Sequence, residues 1–363
     1  MIYILSNMRE YGGAEKSIAT LLPHIAAEMP TRVFVENDKH AADCEAVPGL
    51  KVTATAKGNG PLAMLKTFLM LRRAFAKERP TLLLANGHKG ALFLALLRTL
   101  SPAARKARYA IYVRDFDYYW LGKLLPRLPG CILLAPSQAV FDNERYLAWG
   151  IEKHPSYVIE NAADISTAEP TPDEGWVGLL ARLVPWKGVE YAIRAMRLVA
   201  DIRPSAKLRI YGETIDAAYV ASLRALVAEL KLDANIEFHE HTRDTASVYR
   251  AGALFLVTSL NQVPGPESFG RVVIEAWSHR RPVIAFDCGG PRHLIEDGTD
   301  GYLVHEKEIA VLAEDIIELL ENPDQRRAFG EAGYAKVRER FNPATLAGRL
   351  LQTLFPANVP TTK

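Results

Sequence analysis

Twelve short apolar runs recur along this chain, and segments of helical periodicity separate most of them. In the first half they are IYILS, TRVFVE, LKVTA, TLLLAN, RYAIYV and CILLAPS. The second half has WVGLLA, KLRIYG, NIEFHE, LFLVTS, PVIAFD and the short GYLV. Strands that alternate with helices pair in parallel and are covered on both faces. The polar stretch NAADISTAEPTPDEG, residues 161–175, holds two prolines and no apolar periodicity, so it reads as an interdomain linker. The predicted fold class is therefore α/β, with two Rossmann-like doubly wound domains facing across a cleft. The expected boundaries are 1–162 and 175–341, with a last helix within 342–363 after Asn342-Pro343.

A length of 363 residues fits about two domains, each able to bury a core of its own. A hydrophobic share of 49% with 24% charged residues is that of a globular chain, which excludes a disordered one. Cys44, Cys131 and Cys288 are too few and too scattered for a disulfide framework; buried, reduced thiols are expected. Ile2 to Leu5 is too short an apolar run for a signal peptide, and no stretch approaches the roughly 20 apolar residues of a membrane span. The expectation is a cytoplasmic protein.

Charge is divided unevenly. Residues 1–160 carry 21 Lys and Arg against 14 Asp and Glu, although the whole chain has a net charge of only +2. From Lys51 to Arg114 there are 13 basic residues and one acid, Glu78. Within that span, residues 61–80 read as an amphipathic helix with Lys66, Arg72, Arg73, Lys77 and Arg79 beside Leu, Met and Phe. Such a helix can lie on an anionic membrane surface, which would place the protein peripherally on the inner face of the plasma membrane. Nucleic acid is not expected as a partner, because the basic segment lacks interleaved aromatic residues.

Chemistry concentrates in PGPESFGRVVIEAW. Glu267 lies in a loop of small residues, and Glu275 about two turns into a helix marked by Val272, Val273, Ala276 and Trp277. Between them Ser268, Phe269 and Gly270 offer backbone N–H groups at a helix start, where an anion is favoured. Two carboxylates for hydroxyl groups and amides for a phosphate suit a sugar nucleotide. Upstream, GLLARLVPWKGVEYAIRAM sets Arg182 and Lys187 at a strand's carboxyl end, where open α/β sheets bind ligands and where two cations suit a diphosphate. Near the N-terminus, Gly12 and Gly13 fall between a strand and a helix and let a ligand approach the backbone. Each feature alone also fits ordinary loop residues; their joint presence carries the reading.

Together Gly12-Gly13, Arg182…Lys187-Gly188, Glu267-Ser-Phe-Gly…Glu275-Ala and DCGGPRHLIEDGTDGYLV resemble the retaining glycosyltransferases of the GT-B fold, family 4 in the sequence-based classification. The resemblance implies hexosyl transfer, with retention, from a UDP- or GDP-linked sugar to a glycan or glycolipid hydroxyl, in bacterial envelope polysaccharide or lipopolysaccharide synthesis. It implies that Arg182 and Lys187 hold the donor pyrophosphate, that Glu267 addresses the sugar and that Glu275 addresses the ribose. By the same resemblance His88, at the end of TLLLAN, hydrogen-bonds the donor sugar and joins Glu267, Arg182 and Lys187 as catalytic. The last helix would cross back onto the first domain.

Asp115 and Asp117, followed by Tyr118, Tyr119 and Trp120, offer acceptor hydroxyl contacts and a sugar-stacking face. Their Asp-x-Asp spacing resembles a metal motif of the different GT-A fold. In a GT-B protein cations and helix ends neutralise the leaving diphosphate, so neither a metal nor another cofactor is expected. His239 and His241 flank Glu240, but with no third ligand nearby a metal pair is not expected there either. This chain departs from the family where His239 or His241 replaces a usual Gly near the base, which leaves the base open. Asn161-Ala162-Ala163-Asp164 likewise replaces Asn-Gly-Val-Asp. Two rival functions stay open: a GT-B-like sugar-nucleotide epimerase, and a non-catalytic nucleotide-sugar or glycan-binding protein.

Overall fold

The computed structural model describes residues 1–9, 11–114, 116, 121–148, 150–167, 173–242, 244–262 and 266–356. The chain divides into two compact units, Met1–Ala162 with Pro343–Lys363, and Ala163–Asn342.

The first unit is built on a seven-stranded parallel sheet: β1 (Ile2–Ser6), β2 (Thr31–Val35), β3 (Lys51–Ala54), β4 (Leu82–Asn86), β5 (Arg108–Tyr112), β6 (Ile132–Ala135) and β7 (Ser156–Val158), in the order β3-β2-β1-β4-β5-β6-β7. All five residues of β1 are buried, because alternate side chains serve two cores. Tyr3 and Leu5 pack with Phe68, Leu71, Phe75 and Phe93 on one face. Ile2 and Ile4 pack with Ile18, Leu21 and Leu22 on the other. The principal helices are α1 (Gly13–Glu28), α2 (Asp38–Glu45), α3 (Pro61–Glu78) and α4 (His88–Leu100). The helix Pro343–Leu354 also belongs to this unit, where Leu346, Ala347, Leu350 and Leu354 share the core of α1.

The second unit holds a six-stranded parallel sheet: β8 (Val177–Leu180), β9 (Leu208–Tyr211), β10 (Ile236–His239), β11 (Leu254–Val257), β12 (Val283–Phe286) and β13 (Gly301–Val304), ordered β10-β9-β8-β11-β12-β13. Leu208, Ile210 and Leu256 face one core, and Phe255, Val257 and Trp277 face the other. The chain is thus α/β with two Rossmann-like, doubly wound sheets, and the strand order of each reverses beside its first strand. Ligands of such sheets bind at the carboxyl ends of the strands flanking that reversal: β1 and β4 in the first unit, β8 and β11 in the second.

All twelve apolar runs form strands; β7 is the thirteenth. It is a sheet edge whose Ser156 and Tyr157 are exposed, so it shows no apolar run. The two units divide within the predicted linker, after Ala162. Ala163 is fully buried, its N–H donates to the Phe341 carbonyl (3.1 Å), and Asp173 pairs with Arg326 (3.2 Å). These residues therefore belong to the second unit, held by backbone and ionic contacts that leave no apolar periodicity to read.

Candidate active site

In the second unit, the loops after β8 and β11 are stitched together. Gly188 has φ of 61°, and a Cβ there would stand 2.1 Å from the Thr258 carbonyl oxygen, so no side chain fits. The Thr258 hydroxyl donates to the Lys187 carbonyl (3.0 Å), and the Leu260 N–H donates to the Trp186 carbonyl (2.8 Å). This fixes the Lys187 backbone and lets its ammonium pair with the Glu267 carboxylate. Their side chains are only 15% and 17% exposed. Burial raises the Glu267 pKa, but Lys187, the Gly270 N–H and Arg182 outweigh it and leave the carboxyl below its usual range. Glu267 is therefore an anion at neutral pH.

Trp186, which the sequence reading passed over, lies against both cations. Lys187 Nζ is 4.3 Å and Arg182 Cζ 5.8 Å from its ring centroid. Arg182 is exposed. One indole ring thus has two positive charges near it.

The Glu267 loop rests on glycines that the sequence reading cited only as part of the resemblance. The Gly290 N–H donates to the Glu267 carbonyl (2.7 Å). A Cβ at Gly289, whose φ is 54°, would stand 2.2 Å from that same carbonyl oxygen. One at Gly290 would stand 2.3 Å from the Phe269 backbone. Gly270, with φ of 96°, then caps the helix Arg271–Ser278. On that helix Glu275 accepts from Arg271 (2.8 Å) and from the Tyr249 hydroxyl (3.0 Å). Phe269, cited for its backbone N–H, turns its side chain into the core against Phe341 (6.0 Å). Arg182, Lys187, Glu267 and Gly270 thus come together in the second unit, and Ser268 and Glu275 belong to the same loop and helix.

In the first unit, β1 and β4 are paired neighbours, so the residues that follow them share one edge. Gly12 precedes α1, and its N–H donates to the Glu15 carboxylate (3.0 Å). Its φ of −135° is open to any residue, so the glycine there supplies room and not a special conformation. His88 opens α4 directly after Gly87, whose φ of 118° does require glycine.

Behind this edge lies a buried polar network that the sequence did not announce. Asn86 donates to the Ser6 hydroxyl (2.9 Å) and accepts from Arg114 Nε (2.7 Å). Arg114 Nη1 reaches Ser17 (3.1 Å) and Asn161 (2.8 Å), and the guanidinium lies 3.3 Å over the Tyr112 ring. His40, fully buried, bonds Ser6 through Nε2 (2.9 Å); burial lowers its pKa to about 4, against a smaller opposing effect of Asp43. The available signal was positional: Asn86 and Arg114 are polar residues ending apolar runs.

Asp115, Asp117 and Tyr118 lie outside the described residues. His239 ends β10 and stacks on Tyr211 (4.6 Å, 13°). Among the described residues, no three His, Cys, Asp or Glu converge as a metal site. The three cysteines are buried and not in disulfides.

Two parallel Rossmann-like units with charged residues at a strand-order reversal define a GT-B protein. The sequence profile described as "Glycosyl transferases group 1" matches residues 152–336, about half of the chain, and the chain belongs to that family. It is 30% identical over 178 residues to poly(ribitol-phosphate) alpha-N-acetylglucosaminyltransferase of Staphylococcus aureus, covering 48% of this chain and 34% of that protein. It is 31% identical over 176 residues to the GDP-mannose-dependent monoacylated alpha-(1-6)-phosphatidylinositol monomannoside mannosyltransferase of Corynebacterium glutamicum, covering 48% and 45%. The matches thus span less than half the length of these relatives. The fold matches Anabaena HepE, solved with UDP and glucose, at a TM-score of 0.81, with 22% identity over 97% of this chain and 98% of that one. It also matches sucrose-phosphate synthase from Thermosynechococcus elongatus at 0.80, with 20% identity over 98% and 99%. Among the described residues, no helix is long and apolar enough to cross a membrane.

Proposed function

We propose that this protein is a retaining hexosyltransferase of family 4. It moves a sugar from a UDP- or GDP-linked donor to a hydroxyl of a glycan or glycolipid in bacterial envelope polysaccharide or lipopolysaccharide synthesis. The observation that carries this reading is the Lys187–Glu267 pair, with Trp186 and Arg182 beside it. Lys187, Arg182 and the start of the helix Arg271–Ser278 take the diphosphate, so that charge building on the leaving group meets fixed positive groups. No metal is needed for that neutralisation. Glu267, kept ionised by Lys187, accepts from donor sugar hydroxyls, and Glu275 accepts from the ribose. His88 donates to the sugar, and Gly12 and Gly13 leave room beside it.

The bond between the anomeric carbon and the diphosphate oxygen breaks, and the acceptor oxygen bonds that carbon on the same face. The acceptor proton passes to the departing phosphate oxygen. Asp115, Asp117 and Tyr118 are proposed for the acceptor. The relatives support the reading through their names, one of which specifies GDP-mannose, while HepE was solved with UDP.

The test is nucleoside diphosphate release from UDP-, GDP- and ADP-sugars, with Glu275→Ala in parallel. Slow release from one donor, lost in the variant, supports the proposal and assigns the base. No release, and no thermal stabilisation by any nucleotide, rejects it. Conversion of the donor to an isomer without acceptor identifies an epimerase instead.

A further inference from the structure

Helix α3 has two apolar faces where a surface helix needs one. Thr67, Phe68, Leu71 and Phe75 are buried against the first unit. Leu62, Leu65 and Leu69 are instead 65%, 53% and 37% exposed. Their spacing of three and four residues sets them on one stripe, which exposed Ala76 continues. Exposed Lys66, Arg72, Arg73 and Lys77 border it. The helix's one acid, Glu78, is engaged by Arg32 (3.0 Å), Tyr3 (2.6 Å) and Lys51 (3.6 Å). The outer face therefore presents leucines and cations with no opposing charge of its own.

The start of this helix is fixed. The Gly58 N–H donates to the Glu36 carboxylate (2.7 Å), and Lys89 both pairs with Glu36 and donates to the Gly58 carbonyl (3.1 Å). Lys89 adjoins His88, so the clamp holds the helix start at the carboxyl edge of the first sheet. Leu62 and Leu65, the most exposed of the three, lie at that end.

We propose that this stripe docks the first unit on an anionic bilayer, with the leucines below the headgroups and the cations among them. Charge chooses the occupant: a second copy would set cations against cations, whereas an anionic lipid surface satisfies both parts of the face. Docking stands apart from the donor site; only its use, bringing the first sheet's carboxyl edge to a membrane-held acceptor, rests on the transferase reading.

The experiment is sedimentation of the full chain with vesicles of phosphatidylcholine alone and with phosphatidylglycerol added. Binding is expected only to the anionic vesicles and should weaken with salt. The variant Leu62→Ser/Leu65→Ser/Leu69→Ser should lower partitioning by about a hundredfold. Lys66→Gln/Arg73→Gln/Lys77→Gln should also lower it by about a hundredfold. Both variants alter exposed positions and should keep the parent's Tm. Three results overturn the proposal: no binding by the parent, equal binding by the leucine variant, or a dimer in solution that the leucine variant dissolves. Nucleotide stabilisation is read on the same samples. Its loss with vesicle binding intact rejects the transferase reading alone, and the converse rejects docking alone.

Discussion

At the carboxyl edge of the second sheet, the notable side chains are ionic and partly open to solvent: Arg182, Lys187, Glu267 and Glu275. At the matching edge of the first sheet, Ser6, Asn86, Ser17, Asn161 and Arg114 are buried and hydrogen-bond one another. The same topology has been finished in two ways. The second unit keeps its charge toward solvent. The first directs its polarity inward, tying β1, β4, α1 and the segment after β7 into a stiff floor.

The largest effect should come from the outward-facing charges. Glu267→Ala should lower turnover by about a hundredfold or more, mainly in kcat, because its contacts tighten in the transition state. Steady-state nucleoside diphosphate release decides this, and turnover near the parent's would break the contrast at its strongest point. Next, Arg114→Leu should destabilise the first unit by about 3 kcal/mol, since Asn86, Ser17 and Asn161 each lose a charge-assisted hydrogen bond. Urea unfolding would show it. Nucleotide affinity should stay within about twofold, so a large loss of affinity would show that the inward network also serves the donor.

Acid should act on both units through different groups. His40 has a folded pKa of about 4, below its ordinary 6.5, so the unfolded chain binds more protons between those values. Stability is full above pH 6.5 and falls by about 2–3 kcal/mol as pH drops toward 4. His40→Asn should flatten that slope in thermal melts taken across pH. Against the raising effect of burial, Lys187, Gly270 and Arg182 depress the Glu267 pKa below the ordinary 4.5, so Glu267 is charged over the part of this window above 4.5. Its contribution is present above 4.5 and disappears only as pH falls through the lower folded value. The smallest effect is expected at Trp186. Trp186→Leu should raise the donor KM by about threefold to tenfold with kcat little changed, since the cations remain but lose the indole beside them. An unchanged KM would remove Trp186 from the account.

The strands were legible because parallel strands covered on both faces must be apolar throughout, as IYILS and TLLLAN are. The ionic residues of the second unit were legible because charge at a strand's end stands out against its apolar run. The first unit's floor was not, because Ser6, Ser17 and Asn161 are ordinary residues until the fold joins positions 144 apart, such as Ser17 and Asn161. Trp186 was hidden for a similar reason: an aromatic in a loop reads as packing until the cations beside it are placed. The stretch 161–175 was visible only by its lack of periodicity, and the two units divide within it, after Ala162. Phe269 was read for its backbone N–H, and the sequence did not tell that its side chain turns into the core.

The helix Pro343–Leu354 has a consequence for the order of assembly. The second unit, Ala163–Asn342, is continuous in sequence, whereas the first needs Leu346, Ala347, Leu350 and Leu354 to complete the core beside Ile18, Leu21 and Leu22. On the ribosome the first unit is made first, yet it lacks this helix until residue 354 has emerged. The second unit can therefore close before the first is finished, reversing the usual N-to-C order of domain completion. Until then, an apolar stripe of α1 stays uncovered on the nascent chain.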